Sequence, residues 1–293
     1  MMFKMEWYVF AIGAAIFYTL FQIARKKALM KAHAMNFESI RTIFVVLIGL
    51  FLIPFMDWSF DKGILFLVYG VSLIATVGIL FTAKAFRHND ISLISPLANL
   101  RPAFVAVLAY FFLSESLGVK QMIGIGILLV SAYLLEADHH LSDFVAPIKH
   151  LMKSKESLYF IFAMFLFSIG SIFDKYIIGS KITNVFTYFF LIWVFIAINF
   201  NIVHAFLYGF KEIKACLKKT RYLPFVVALF SVAGSLFALQ AISMAYVSLV
   251  MPIIILSSLM IVIFGGTFFH EKYLSYRIVI SVLMILGAYL IIV

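Results

Sequence analysis

Residues 77–135 of this chain align with its own residues 233–291 without a gap. The shared skeleton runs through Gly78 and Gly234, Leu80-Phe81 and Leu236-Phe237, Ala85 and Ala241, Ser92-Leu93 and Ser248-Leu249, Pro96 and Pro252, and Leu100 and Leu256. It continues through Phe112 and Phe268 and Glu115 and Glu271 to Ala132-Tyr133-Leu134 and Ala288-Tyr289-Leu290. About 13 identities in 59 positions are few. They nevertheless keep register across three consecutive apolar segments, so any fold of this chain must accommodate two copies of one unit.

The medium follows from composition. The chain is 65% hydrophobic and 12% charged, with a mean hydropathy of +1.12, where an ordinary soluble domain is nearer half apolar and a quarter charged. Runs of about 20 apolar residues mark transmembrane helices. Ten are expected, near 7–28, 38–56, 63–86, 91–113, 117–135, 157–179, 185–208, 222–245, 248–269 and 274–292. A membrane β-barrel would show alternating segments of about ten residues, and runs such as Ile43 to Phe55 do not alternate. The expected class is an all-α, multi-pass integral membrane protein of the cell membrane, the inner membrane in a prokaryote.

Residues 1–135 form the first five-helix unit and residues 157–293 the second, joined by a polar linker at 136–156. The linker holds His139, His140 and His150, but without a cysteine or a regular His spacing it reads as solvated chain and not as a metal site. Cys216 is the one cysteine, which excludes an intramolecular disulfide. The first apolar run is longer than a signal-peptide core and its positive cluster follows it, so it reads as a retained helix. No cofactor and no metal are expected.

The net charge of +10 does not indicate nucleic-acid binding, because the Lys and Arg residues sit in loops between spans and not on one solvated face. They report topology instead. With ten spans, both termini and the even-numbered loops share one side, which holds about five cations; the other side holds about 17, among them Arg25-Lys26-Lys27, Lys31, Lys211, Lys214, Lys218-Lys219 and Arg221. The positive-inside rule then places both termini outside the cytoplasm.

Five helices per unit is an odd number, so the second copy sits inverted relative to the first, an arrangement that suits alternating access around a central site. The residue pattern resembles the EamA-type members of the drug/metabolite transporter superfamily. The pieces that carry the resemblance are Lys84-Ala85-Phe86, Asp90-Ile91-Ser92, Pro96, Arg101-Pro102 and Leu113-Ser114-Glu115. The second half repeats them as Gln240-Ala241-Ile242, Val247-Ser248, Pro252 and His270-Glu271-Lys272. The resemblance implies export of small metabolites through a cavity lined by the third, fourth, eighth and ninth spans with parts of the first and sixth. It also implies termini on the cytoplasmic side, opposite to the charge count.

Polar groups inside spans are expensive unless paired or hydrated, so they are the site candidates. Arg101 lies about ten residues into the fourth span, near the midplane at 1.5 Å per residue. Pro102 beside it withholds a backbone donor from the carbonyl of Ala98. A guanidinium there is either a substrate anchor or half of a structural ion pair with Asp174. Lys84, which the repeat matches to Gln240, reads as a substrate contact or a snorkelling side chain. Asp174 is the acid best placed to couple protons, with a structural pairing as the alternative. Tyr18 and Gln22 share one face of the first span, and Asn99, Gln240 and Ser257 complete the polar set, as orienting groups or as helix–helix hydrogen bonds. Phe81 and Phe237 are the aromatic candidates, because both copies carry them at mid-helix.

The expected activity is secondary transport of a small anionic or zwitterionic metabolite, such as an amino acid or organic acid. Arg101 would hold a carboxylate or phosphate in a bidentate fork. The expected partners are that small molecule, the lipid bilayer and protons as a coupling ion. Export of cationic drugs or amines is the alternative within transport; lipid scrambling or a structural role is the alternative outside it. No HExxH, Gly-x-Ser-x-Gly or P-loop is present, so no enzyme and no ATP-driven pump is expected.

Overall fold

The computed structural model describes residues 6–88, 100–136, 155–179, 183–209, 211–257, 259–260 and 274–293. The apolar segments among the described residues are helical because backbone N–H and C=O groups in hydrocarbon must be satisfied within the segment itself. The helices are α1 (Trp7–Leu29), α2 (Ala34–Gly49), α3 (Ile64–His88), α4 (Arg101–Leu113), α5 (Val119–Glu136), α6 (Lys155–Gly179), α7 (Val185–Tyr208), α8 (Lys211–Thr220), α9 (Leu223–Met244), α10 (Val247–Ile254) and α11 (Leu274–Ile292). Six of them, counting α2 together with the turn that follows it, are long and apolar enough to cross a membrane; α4, α5 and α11 are shorter apolar helices over their described residues. The linker expected at 136–156 meets described helix at Glu136, Lys155 and Glu156; its residues 137–154, with Asn99 and Glu271, lie outside the described residues.

Local chemistry sets the ends. Asn184 caps α7, its side-chain oxygen accepting from Thr187 N at 2.8 Å. Pro102 and Pro224 stand in the first turns of α4 and α9, where a missing N–H costs nothing. After α2 the chain tightens into a 3₁₀ helix, Leu50–Phe55, which contains Pro54. The span expected at 38–56 therefore begins four residues earlier, at Ala34, and is not a single α-helix.

Helix partners cross between the two copies of the repeat. The main packing partner of α1 is α9, and α6 packs likewise on α3; α2 packs on α9 and α7 on α3; α4 packs on α6 and α10 on α1. The counterparts α2 and α7, α4 and α10, and α5 and α11 pack on each other. The α5–α11 pair is antiparallel and close. A Cβ on Gly124 would stand 2.7 Å from the carbonyl oxygen of Gly287, with Ile291 beside it, while Gly287 faces Leu128. The α2–α7 pair is antiparallel too, with Asn36 bonded to His204 at one end and Asp57 N bonded to Thr187 at the other.

The two largest buried apolar clusters among the described residues centre on different helices. One gathers Val105, Leu128, Ile253, Ile280 and Met284 from α4, α5, α10 and α11; the other gathers Val45, Val68, Tyr188, Phe189 and Val232 from α2, α3, α7 and α9.

Candidate functional site

Arg101 opens α4, so α4 itself does not supply the polar environment of its side chain; the helices packed around it do. Its Nη2 donates to Ser171 Oγ at 2.9 Å, and its guanidinium carbon lies 5.7 Å from the centroid of the Phe167 ring, a cation–π contact. Ser168 Oγ stands 3.3 Å from the Arg101 carbonyl, so α6 grips both the backbone and the side chain. Tyr18 from α1 and Asp174 from α6 lie within electrostatic reach of the guanidinium. Tyr18 is hydrogen-bonded to Ser235 of α9, and Asp174 accepts from the Tyr188 hydroxyl of α7 at 2.5 Å.

The ion pair weighed from the sequence does not form. Among the described residues no carboxylate lies within 4 Å of Arg101, and its Nε is buried without a hydrogen-bond partner. A guanidinium donates through five N–H groups, and an orphaned buried donor costs free energy. The arrangement leaves hydrogen-bonding capacity that a carboxylate or phosphate oxygen would satisfy.

Two glycines of the repeat seat the aromatic walls. A Cβ on Gly78 would stand 2.7 Å from the Phe167 ring, and one on Gly234 would stand 3.1 Å from the Tyr18 ring. The identity noted between the two copies therefore has a physical cause: each glycine lets an aromatic side chain of the other half approach the centre.

Phe81 and Phe237 each meet other aromatic rings. Phe81 meets Tyr159 and Phe162 of α6, each at 5.4 Å between centroids. Phe237 meets Phe17 at 5.3 Å and Phe10 at 5.9 Å on α1, and Gly13 gives it room. Of the other expected residues, Ser257 reaches α1, its carbonyl accepting from Thr19 at 3.3 Å. Gln240 is half-buried on α9 and Gln22 is exposed. Lys84 lies on α3, but its side chain, like Asn99, falls outside what is described.

The described helix begins at Arg101, so Pro102 sits in its first turn; the carbonyl of Ala98, expected to be freed by it, lies outside the described residues. Ser168, Ser171 and Tyr188 were not expected. Ser168, Ser171 and Asp174 follow one another at spacing three, which puts a polar stripe on one face of α6 and was open to recognition; Tyr188 gave no such signal.

A second polar cluster escaped the sequence altogether. Glu38, 1% exposed, binds Arg25 Nε and Arg41 Nε at 2.6 Å each, and Arg41 also donates to Ser231 at 3.2 Å. Arg41 lies over the Trp193 ring at 5.2 Å and the Phe21 ring at 5.7 Å. Glu38 is shared by both arginines, and Arg41 is held further by Ser231 and two rings, which is the pattern of a structural ion cluster.

Residues 5–136 match the sequence model of the EamA-like transporter family. No curated protein matches the sequence. The fold is that of a protein known from a crystal structure, which aligns at a TM-score of 0.71 and 12% identity over 97% of this chain and 95% of the other; at that identity the likeness shows the fold alone.

Proposed function

We propose that this chain, whose residues 5–136 match the EamA-like transporter family, is a secondary transporter that carries a small zwitterionic or anionic metabolite, in the direction of export, around a site centred on Arg101. The observation that carries the reading is the buried guanidinium with an unpartnered Nε and no carboxylate within 4 Å among the described residues. The nearby Asp174, held by Tyr188 and not by Arg101, favours a zwitterion within that class. Arg101 would take the carboxylate and Asp174 the ammonium group of an amino acid. Export of purely cationic amines is the weaker reading, because a fixed cation at the centre repels such a substrate.

Alternating access is proposed on the packing described above. Partners are exchanged between the copies, and counterpart helices run antiparallel, which supports two inverted five-helix units at 1–135 and 157–293 with ten spans. The site draws on α1, α4, α6, α7 and α9, so rocking one half against the other would open it to either side without dismantling it. Asp174 is then also the candidate for proton coupling.

The test begins with a thermal-shift screen of amino acids, organic acids and phosphorylated metabolites, since a ligand at about 100 times its dissociation constant adds roughly 2.7 kcal/mol. With a ligand in hand, Arg101→Gln is expected to weaken binding by about 1.5–3 kcal/mol, the range for a charge-assisted hydrogen bond. Arg101→Lys should recover only part of it, because a point charge does not reproduce the planar fork. Asp174→Asn should reduce affinity for amino acids while sparing their des-amino analogues, and should abolish proton-driven uptake. Wild-type affinity in folded Arg101→Gln protein would sink the anchor role.

A further inference from the structure

The end of α1 and the end of α8 meet at one rim of the bundle, away from Arg101. Lys27 and Lys31 from the first and Lys219 and Arg221 from the second line a half-open cavity of about 620 Å³, closed on one side by Tyr222 and Leu223. No acidic residue lines it, and among the described residues none of the four cations has a carboxylate within 4 Å. Like charges gathered this closely repel one another unless an anion sits between them.

The backbone gives a second, independent pointer. Arg221 has φ 52°, with its N–H bonded to the Leu217 carbonyl at 2.8 Å in the left-handed conformation that ends α8. Glycine or asparagine adopts that conformation with least strain. An arginine there is held at a backbone cost, and what it brings is its charge at the mouth of the cavity.

The surroundings identify the kind of anion. Tyr222 is 66% exposed, and Phe225 and Leu217 are exposed beside it. Arg221 immediately precedes α9, one of the helices long and apolar enough to cross the membrane. Exposed aromatic and apolar side chains next to cations, at the end of a spanning helix, are the chemistry of the headgroup region. We propose that this rim binds the phosphate of an anionic phospholipid, with Lys27, Lys31, Lys219 and Arg221 around the headgroup and Tyr222 and Phe225 against the upper part of the acyl chains.

The experiment measures retention of phosphatidylglycerol against phosphatidylcholine on the purified full-length protein by native mass spectrometry. Melting temperature in mixed micelles of each lipid is followed in parallel. The wild type is expected to retain phosphatidylglycerol selectively and to melt higher with it. Arg221→Gly, which keeps the left-handed backbone and removes only the charge, should lower phosphatidylglycerol affinity about fivefold, and Lys27→Gln with Lys31→Gln should lower it by about the same factor for each charge. Lys120→Gln, outside the cavity, should leave it unchanged. Equal retention of the two lipids, or undiminished selectivity in both cavity variants, overturns the proposal. So does reproduction of the whole effect by inorganic phosphate, which would make the cavity a site for a free anion.

Discussion

Arg41 and Arg101 lie in apolar surroundings and behave oppositely. Arg41 shares Glu38 with Arg25 and touches Ser231, so its charge is matched inside the protein. Arg101 has Ser171, a ring face and an orphaned Nε. The first holds α1, α2 and α9 together; the second keeps a donor without a partner, on which the proposed anchor role rests. Removing one partner of a buried ion cluster leaves uncompensated charge, at about 3–5 kcal/mol. Glu38→Gln should therefore lower the melting temperature sharply in detergent, without a specific change in affinity among the molecules that survive. A Glu38→Gln protein that melts like the wild type would mean that water or lipid already solvates Arg25 and Arg41.

Helix ends carry the next level of organisation. The break between α9 and α10 is held from both sides. Lys175 Nζ donates to the carbonyls of Ile242 and Ala245 at 2.8 and 2.7 Å, neutralising the end of α9. Glu115, 3% exposed at the far end of α4, accepts from Val247 N at 2.9 Å, Ser248 N at 3.0 Å and the Ser248 hydroxyl, where the start of α10 carries partial positive charge. Its sequence position suggested an interfacial acid or a partner for loop lysines; packing of α4 against α10 makes it a helix cap instead. Glu115→Gln should destabilise the fold by about 1.5–3 kcal/mol, as read from melting temperature, since an amide keeps only one acceptor oxygen for several donors. Glycine contacts separate two further roles. Gly78→Ala would push on Phe167, beside Arg101, and is expected to weaken substrate binding in folded protein. Gly124→Ala meets the Gly287 backbone and should lower stability through the α5–α11 contact while leaving affinity intact. Identical affinity losses in the two variants would contradict that division.

For the molecule as a whole, the open variable is its orientation in the bilayer. The fold gathers the end of α1 and the α7–α9 connection at one end, through the Asn36–Glu212 hydrogen bond at 2.7 Å and the shared cationic cavity. Those segments hold much of the basic charge of the loops. The positive-inside rule therefore acts on one coherent surface and predicts that this end faces the cytoplasm and that Val293 does not. A fluorescent protein that folds only in the cytoplasm, fused after Val293, should stay dark, while a phosphatase fusion there should be active. The reverse result would favour the orientation implied by the family resemblance.

Periodicity was enough to establish the helical class and the bounds of most described helices, because apolar length and backbone self-satisfaction are local properties of a chain in lipid. Arg101, Asp174 and Tyr18 were legible for a related reason: a charged or polar side chain inside an apolar run stands out without knowledge of its neighbours. Which of those groups meet was decided only by tertiary packing. Phe81 and Phe237 looked central because both copies carry them, yet the crossing of α3 on α6 and α9 on α1 turns them into mortar and brings Phe167 and Tyr18 to the site instead. Glu38 and Arg41 were invisible for the opposite reason. They stand in the first turns of the span expected at 38–56 with no partner visible nearby, and only the approach of Arg25, Ser231 and Trp193 from three other helices, 13 to 190 residues away along the chain, makes them a buried cluster.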